Sequence, residues 1–140
     1  MRARLPVDIL VPASGFGEAL VLDAPLSFWG GVDPESGRII DRQHPQCGIR
    51  VSGRVLVLPG VRGSTAAPGA LLELLVSGAG PAALLTGRFE VVPLVTALTV
   101  SLLDRESIPV AVLEGPDGQV GLRTGVPVFI DRSGWTIRTT

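Results

Sequence analysis

The sequence predicts an α/β fold, a compact sheet or small barrel with two helices covering one face. In the middle of the chain, short apolar runs of strand length alternate with two apolar runs of helical length. After residue 115 the pattern changes to short segments separated by Asp-Gly and Ser-Gly steps, typical of antiparallel strands with tight turns. We expect the 140 residues to form one domain, because this length suits a single hydrophobic core.

Four strands are predicted in the first half of the chain. The segments 7–11 and 18–22 are mostly aliphatic, and Gly15 and Gly17 between them indicate a turn. A short strand at 38–41 and a longer one at 54–58 follow. The Val and Leu content of the last strand is typical of a buried position.

Two helices are predicted next. The first begins near Pro68, whose fixed φ and missing N–H suit a first helical turn, and it runs to about Val76 before Gly78. The second begins at Val91 in the uncharged run 91–103, and we expect it to be buried.

Further strands surround and follow the second helix. Strands at 82–85 and 109–113 are expected on either side of it. The C-terminal segments VGLRTG, VPVFID and TIRTT indicate short antiparallel strands at 120–125, 126–131 and 136–140.

The clearest functional signal is the segment VLPGVRGSTAAPG at 57–69, where an apolar strand runs through a Gly-rich turn into a helix. This order predicts that Ser64 lies at the N-terminus of a helix, where backbone N–H groups and the helix dipole favour an anion or an ionised hydroxyl. Arg62 adds a positive charge, and in a chain without lysine its guanidinium suits a carboxylate or phosphate. From the residues alone, a helix N-cap is the favoured interpretation of Ser64, and Arg62 could be an ordinary surface charge.

This turn belongs to a wider resemblance. The segments SFWGGVDPESGRIIDRQHP at 27–45, GRVLVLPGVRGST at 53–65 and GPAALL at 80–85 resemble the swivel domain, or small subunit, of the aconitase X family of hydro-lyases. The resemblance spans about residues 15–114 and implies a β/β/α swivelling domain. It also implies a site in which Ser64 is the catalytic base.

The resemblance assigns substrate binding to the same turn, through Arg62, Gly63 and Thr65. A serine removes a proton from carbon only as an alkoxide, so positive charge and N–H donors must lower the pKa of its hydroxyl. Arg62 and the amides of this turn provide both. Family members commonly carry further serines here, whereas this chain continues Thr65, Ala66, Ala67, which leaves the substrate open.

The resemblance also implies a heteromeric dehydratase, active only with a large subunit that holds an iron–sulfur cluster. This chain has one cysteine, Cys47, and a cluster normally takes several thiolates, so we expect no cofactor on this chain alone. Cys47 is expected to be a small buried hydrophobe rather than a thiol at a subunit contact. The candidate substrates are cis-3-hydroxy-L-proline and 5-phosphomevalonate.

A second group of candidate residues precedes the turn. Trp29, Gly30, Gly31 and Asp33 are predicted to line the cleft facing the large subunit and to close over substrate. The alternative is a rigid turn with the tryptophan packed for stability. His44 is a weak metal signal by itself, and we expect it to order its own loop.

Composition excludes some classes of function. A net charge of −1 with scattered arginines makes nucleic-acid binding unlikely, and the 13-residue run at 91–103 is too short to span a bilayer. The N-terminus is a poor signal peptide, so we expect a cytoplasmic protein. Only 18% of residues are charged, which fits either a covered partner surface or a tightly packed small domain.

Two rival functions share this fold. The segment SIPVAVL at 107–113 also looks like the swivelling phosphohistidine domain of phosphoenolpyruvate-using enzymes, but the histidine needed before this strand is absent from 95–105. A non-catalytic binding module is the third possibility, and it would have no need of Ser64.

Overall fold

The computed structural model describes residues 2–63, 66–114 and 122–138. Within these residues the chain forms ten strands and three helical segments. The strands are β1 (Arg2–Leu5), β2 (Val7–Val11), β3 (Gly15–Val21), β4 (Leu26–Ser27), β5 (Val55–Leu58), β6 (Val61–Arg62), β7 (Ala83–Thr86), β8 (Val110–Leu113), β9 (Pro127–Asp131) and β10 (Gly134–Arg138). The helical segments are α1 (Phe28–Gly31), α2 (Ala67–Ser77) and α3 (Val91–Leu102).

Eight of these strands form one mixed sheet in the order β1-β10-β9-β3-β5-β7-β8-β2. The middle of the sheet, β3-β5-β7-β8, is parallel, and all other neighbours are antiparallel. The two outermost strands, β1 and β2, are separated in sequence only by Pro6. Because the chain passes directly from one end of the sheet order to the other, the sheet is nearly closed into a barrel.

The central strands are buried on both faces, which explains their unbroken apolar sequences. In β5, Leu56 and Leu58 belong to the core cluster beneath α2 and α3, whereas Val55 and Val57 point into the barrel interior. That interior is filled by side chains such as Trp135 of β10, which is fully buried. One core cluster packs α2 and α3 against the outer face of the sheet, and the other fills the barrel interior with side chains that include those of β9 and β10.

The two longer helices lie where the sequence predicts them. Pro68 lies in the first turn of α2, and Gly78 ends the helix in the left-handed conformation with φ 85°. Leu71 and Leu74 are the large side chains that α2 buries. The hydroxyl of Thr96 in α3 donates to the carbonyl of Pro68 at 3.5 Å and ties the two helices together.

Several expectations of local structure are wrong. Gly15 and Gly17 lie inside β3, not in a turn, and are paired with Ile130 and Val128 of β9. A Cβ at Gly17 would lie 2.6 Å from the carbonyl oxygen of Gly53, so glycine permits a close backbone approach here.

The segment 38–41 does not form a regular strand. It makes only isolated bridges, Val32 with Ile39 and Arg38 with Arg50. The N-terminal strand β1, which the sequence analysis did not identify, instead pairs with β10 at the end of the described chain.

Helix α3 is not buried all round. It buries Pro93, Thr96, Ala97 and Val100, but its other side is exposed. At the C-terminus, β9 and β10 match the predicted strands, whereas residues 122–125 are not a strand and the PDGQ turn at 116–119 lies outside the described residues. Among the helices of the described ranges, none is long and apolar enough to cross a membrane.

Two glycine substitutions should change stability in opposite directions. Gly17→Ala places a methyl group against a backbone carbonyl, and we expect it to lower the free energy of unfolding by roughly 1–3 kcal/mol. Gly69→Ala in the first turn of α2 meets nothing within 4 Å and reduces the conformational freedom of the unfolded chain, so it should raise that free energy by roughly 0.5–1 kcal/mol. Urea denaturation of both variants measures the free energy of unfolding. A Gly17→Ala protein as stable as the wild type would contradict the close approach of Gly17 to the carbonyl of Gly53.

Candidate functional site

The predicted Gly-rich turn lies where two parallel strands end. After β5 the chain runs through residues 59–63, and after β7 it runs through residues 87–90. The amide of Gly87 donates to the carbonyl of Leu58 at 3.1 Å, which joins the two loops side by side. We call these two loops the carboxyl edge, and in open parallel sheets such an edge is where ligands bind.

A short second sheet connects this edge to the predicted cleft loop. Strand β6 pairs in parallel with β4, so that Leu26 is opposite Val61 and Ser27 is opposite Arg62. The amide of Leu26 also donates to the carbonyl of Gly60 at 3.3 Å. Arg62 itself is exposed, and its guanidinium is therefore available to a ligand or a partner.

The beginnings of both long helices meet the same turn. A Cβ on Gly63 would lie 3.7 Å from Val92 of α3 and 4.0 Å from Ala67 of α2. The first turn of α2 has no acidic side chain, so nothing in that turn neutralises the positive end of its dipole. The residue at the N-cap position of α2 is Ala66. Ser64 and Thr65 lie outside the described residues.

The structure places Trp29, Gly30 and Gly31 next to this turn. They form most of α1, whose backbone is non-helical at Trp29 and at Gly30, where φ is 75°. Phe28 is buried and anchors the segment, while 60% of the Trp29 side chain is exposed. The interpretation of Trp29 as a tryptophan packed for stability is therefore wrong.

Asp33 is engaged within its own loop. Its carboxylate accepts the hydroxyl hydrogen of Ser36 at 2.6 Å and the amide of Glu35 at 3.2 Å. The Ser36 hydroxyl is the main cause that holds the pKa of Asp33 below its usual value. These bonds shape the turn that follows α1.

His44 is buried and orders the next loop, as the sequence analysis expected. Its Nδ1 accepts the amide of Gln46 at 3.0 Å, so Nε2 carries the proton and donates to the carbonyl of Ala24 at 3.1 Å. Both ring nitrogens are occupied. Cys47, three residues later, is exposed, so the expectation of a buried cysteine is wrong.

The residues of this chain do not fit an iron–sulfur cluster. The full sequence has one cysteine, whereas a cluster takes several thiolates. In the part of the chain that the structure describes, no group of three or more His, Cys, Asp or Glu side chains could hold a metal ion.

Sequence reasoning missed one charged pair at the carboxyl edge. Arg88 and Glu90 form an ion pair of 2.8 Å, and Glu90 also accepts the amide of Val61 at 3.1 Å. The available signal was the position of Arg-Phe-Glu directly after a buried parallel strand, where functional side chains concentrate.

Comparison with known proteins assigns the family. A family model described as the aconitase X swivel domain matches residues 4–139. The chain belongs to the aconitase X swivel-domain family. The crystal structure of Thermococcus kodakaraensis aconitase X in its holo-form matches this fold with a TM-score of 0.80 at 29% identity, over 97% of each chain. The resemblance and the swivelling fold that it implied are both confirmed.

Two relatives of this aconitase X swivel domain differ in length. The cis-3-hydroxy-L-proline dehydratase of Pseudomonas aeruginosa is 43% identical over 104 residues, which cover 74% of this chain and 18% of that protein. The phosphomevalonate dehydratase small subunit of Methanothrix thermoacetophila is 36% identical over 122 residues, 84% of this chain and 88% of that protein. The chain thus spans about a fifth of the first relative and most of the second.

The lowered pKa of Asp33 gives a test of its loop. In Ser36→Ala the pKa of Asp33 should rise toward its usual value, because the main bond to the charged form is lost. A lowered native pKa contributes stability above the unfolded pKa that is lost as pH falls through the native one, so the variant should lose stability at neutral pH relative to acid.

NMR titration of the Asp33 side chain measures this shift. Ser133→Ala is the matched control, because it should raise the pKa of Asp131 and leave that of Asp33 unchanged. An unaltered Asp33 titration in Ser36→Ala would exclude the hydroxyl as the cause.

Proposed function

We propose that this chain is the small subunit of a heteromeric aconitase X dehydratase, a hydro-lyase that removes water from a hydroxy acid. In this proposal Ser64 is the base. The observation that carries it is the position of the Arg62–Gly63 turn, which lies between the beginnings of α2 and α3 at the carboxyl edge. Relatives named as dehydratases and dehydratase small subunits support the reaction class.

Ser64 and Arg62 have distinct roles in this mechanism. Ser64 removes a proton from the carbon next to the substrate carboxylate, and the proton comes to rest on its Oγ. The electron pair of the broken C–H bond forms the new double bond as the hydroxyl on the adjacent carbon leaves, and the cluster of the large subunit would supply the Lewis acid that accepts this hydroxyl. Arg62 pairs with a carboxylate or phosphate oxygen and holds the substrate against the turn. The positive end of α2 and the guanidinium both favour the ionised serine before the proton transfer.

The substrate is one of two hydroxy acids. The exposed guanidinium of Arg62 suits the carboxylate of cis-3-hydroxy-L-proline and the phosphate of 5-phosphomevalonate equally well. We propose that the large subunit distinguishes them, and that it also holds the iron–sulfur cluster, because the residues of this chain do not fit one. The cytoplasmic location stays a prediction from the sequence.

We further propose that the large subunit covers the exposed side of α3. Val91, Val95, Leu98 and Leu102 follow helical spacing along one stripe, which we call the α3 stripe, and all four are exposed. The stripe begins beside the turn, since Val92 faces Gly63. An exposed apolar stripe continuous with a site is typical of a protein interface.

The direct experiment is anaerobic co-expression with the candidate large subunit, followed by assays with each of the two compounds. Turnover of either compound would support the hydro-lyase class and identify the substrate. A stable complex that converts neither compound would contradict both candidate substrates, and failure to form a complex would favour a binding module.

Removal of the proposed base is the sharpest mutational test. In the assembled enzyme, Ser64→Ala should lower kcat by roughly 100- to 10,000-fold, the usual contribution of a positioned base. Complex formation should be unchanged. Ser77→Ala is the matched control, because Ser77 lies at the opposite end of α2, where its hydroxyl donates to the carbonyls of Leu74 and Pro34 and accepts the amide of Ala79. Wild-type turnover in Ser64→Ala would remove Ser64 as the base.

The interface is tested separately from the chemistry. Leu98→Glu places a charge in the middle of the α3 stripe and should weaken binding of the large subunit at least about tenfold, because the charge must be desolvated. Phe16→Glu is the control, since Phe16 is similarly exposed but lies on β3 against Phe129. Surface plasmon resonance measures the affinity of each variant for the large subunit. Equal affinity of the two variants would exclude the α3 stripe as the interface.

A further inference from the structure

The side chain of Glu90 connects the beginning of α3 to strand β6. Glu90 occupies the N-cap position of α3, yet its side chain makes no capping bond to its own helix. Its Oε1 instead accepts the amide of Val61 at 3.1 Å, in the strand that carries Arg62. Only 16% of the Glu90 side chain is exposed, so this bond is largely shielded from water.

Arg88 and Gly60 complete the arrangement. Arg88 Nε donates to the same Glu90 oxygen at 2.8 Å and fixes the direction of the carboxylate, although Arg88 itself is mostly exposed. A Cβ on Gly60 would lie 2.8 Å from Arg88 Nη2 and 3.0 Å from Glu90 Oε1. The ion pair therefore packs directly against the backbone of the turn, and glycine leaves the space it needs.

We propose that Glu90 is a positioning residue for the substrate turn. Strand β6 has only two residues and pairs with a two-residue strand, so its own ladder is short. The Glu90 carboxylate adds a charge-assisted bond to the first residue of this strand. It thereby fixes where Arg62 points and where the chain enters the segment containing Ser64. This role rests on the proposed function, but the bond itself does not.

Amide hydrogen exchange of the full chain tests the bond without any assay of activity. In Glu90→Ala the Val61 amide should exchange at least about tenfold faster, the factor expected on loss of a hydrogen bond to a charged acceptor. Glu90→Gln keeps an oxygen that can accept, so protection should largely return. Glu73→Ala, an exposed glutamate of α2, is the matched control. Unchanged Val61 exchange in Glu90→Ala would overturn the proposal.

Turnover of the assembled enzyme tests the consequence. Glu90→Ala should lower kcat about tenfold or more while the complex still forms, because a displaced base loses its alignment with the substrate. Glu90→Gln should recover most of kcat, which a loss of charge alone would not allow. Wild-type kcat in Glu90→Ala, or equal loss in both variants, would overturn the positioning role. If the wild-type assembly converts neither compound, the proposed function fails, and hydrogen exchange still decides whether Glu90 holds β6.

Discussion

The parallel pairing of β5 with β7 is the constraint on which the rest of the site depends. Val55 is opposite Ala83 and Leu58 is opposite Thr86, so the two strands end at the same level. Both strands are buried on both faces, and a shift of register by one residue would exchange the barrel and helix faces of the sheet. The loops that leave these strands must therefore emerge side by side. The Thr86 hydroxyl, which donates to the carbonyl of Arg88 at 2.6 Å, turns the second loop at this point.

A parallel arrangement also explains why two helix beginnings meet one turn. Each strand is followed by a helix that must return over the sheet, so α2 and α3 both begin at the carboxyl edge. Their positive ends and Arg62 place positive charge at this edge, where the Glu90 carboxylate is paired with Arg88, in a chain whose net charge is −1. Under the proposed function, this local charge would attract an anionic substrate, and the overall charge would contribute little.

The sequence predicts well the elements whose signals are local. The apolar run of β5 and Pro68 of α2 lie within the elements that they indicate, Gly78 caps the end of α2, and the uncharged run 91–103 covers α3 and its C-cap. Gly17 is misread because its function depends on a carbonyl 36 residues away, that of Gly53, rather than on a neighbour. The Arg62–Gly63 turn is predicted from its glycines and from the resemblance to the family, and the role of Ser64 stays a prediction. The role of Glu90 is not predicted from the sequence, because its partner, the amide of Val61, is 29 residues away along the chain. Only the parallel pairing of the strands brings the two together.

The low charge content of the chain has two causes that the sequence could not separate. Much of the apolar composition fills the two core clusters on either side of the sheet. The remainder includes the α3 stripe, where Leu102 is 84% exposed. The same helix carries Glu90 at its beginning, one residue before the stripe starts. A partner bound to the α3 stripe would therefore contact the same helix whose first residues hold β6 in place. In the proposed assembly, binding of the large subunit and alignment of the Arg62–Gly63 turn would be coupled through one helix.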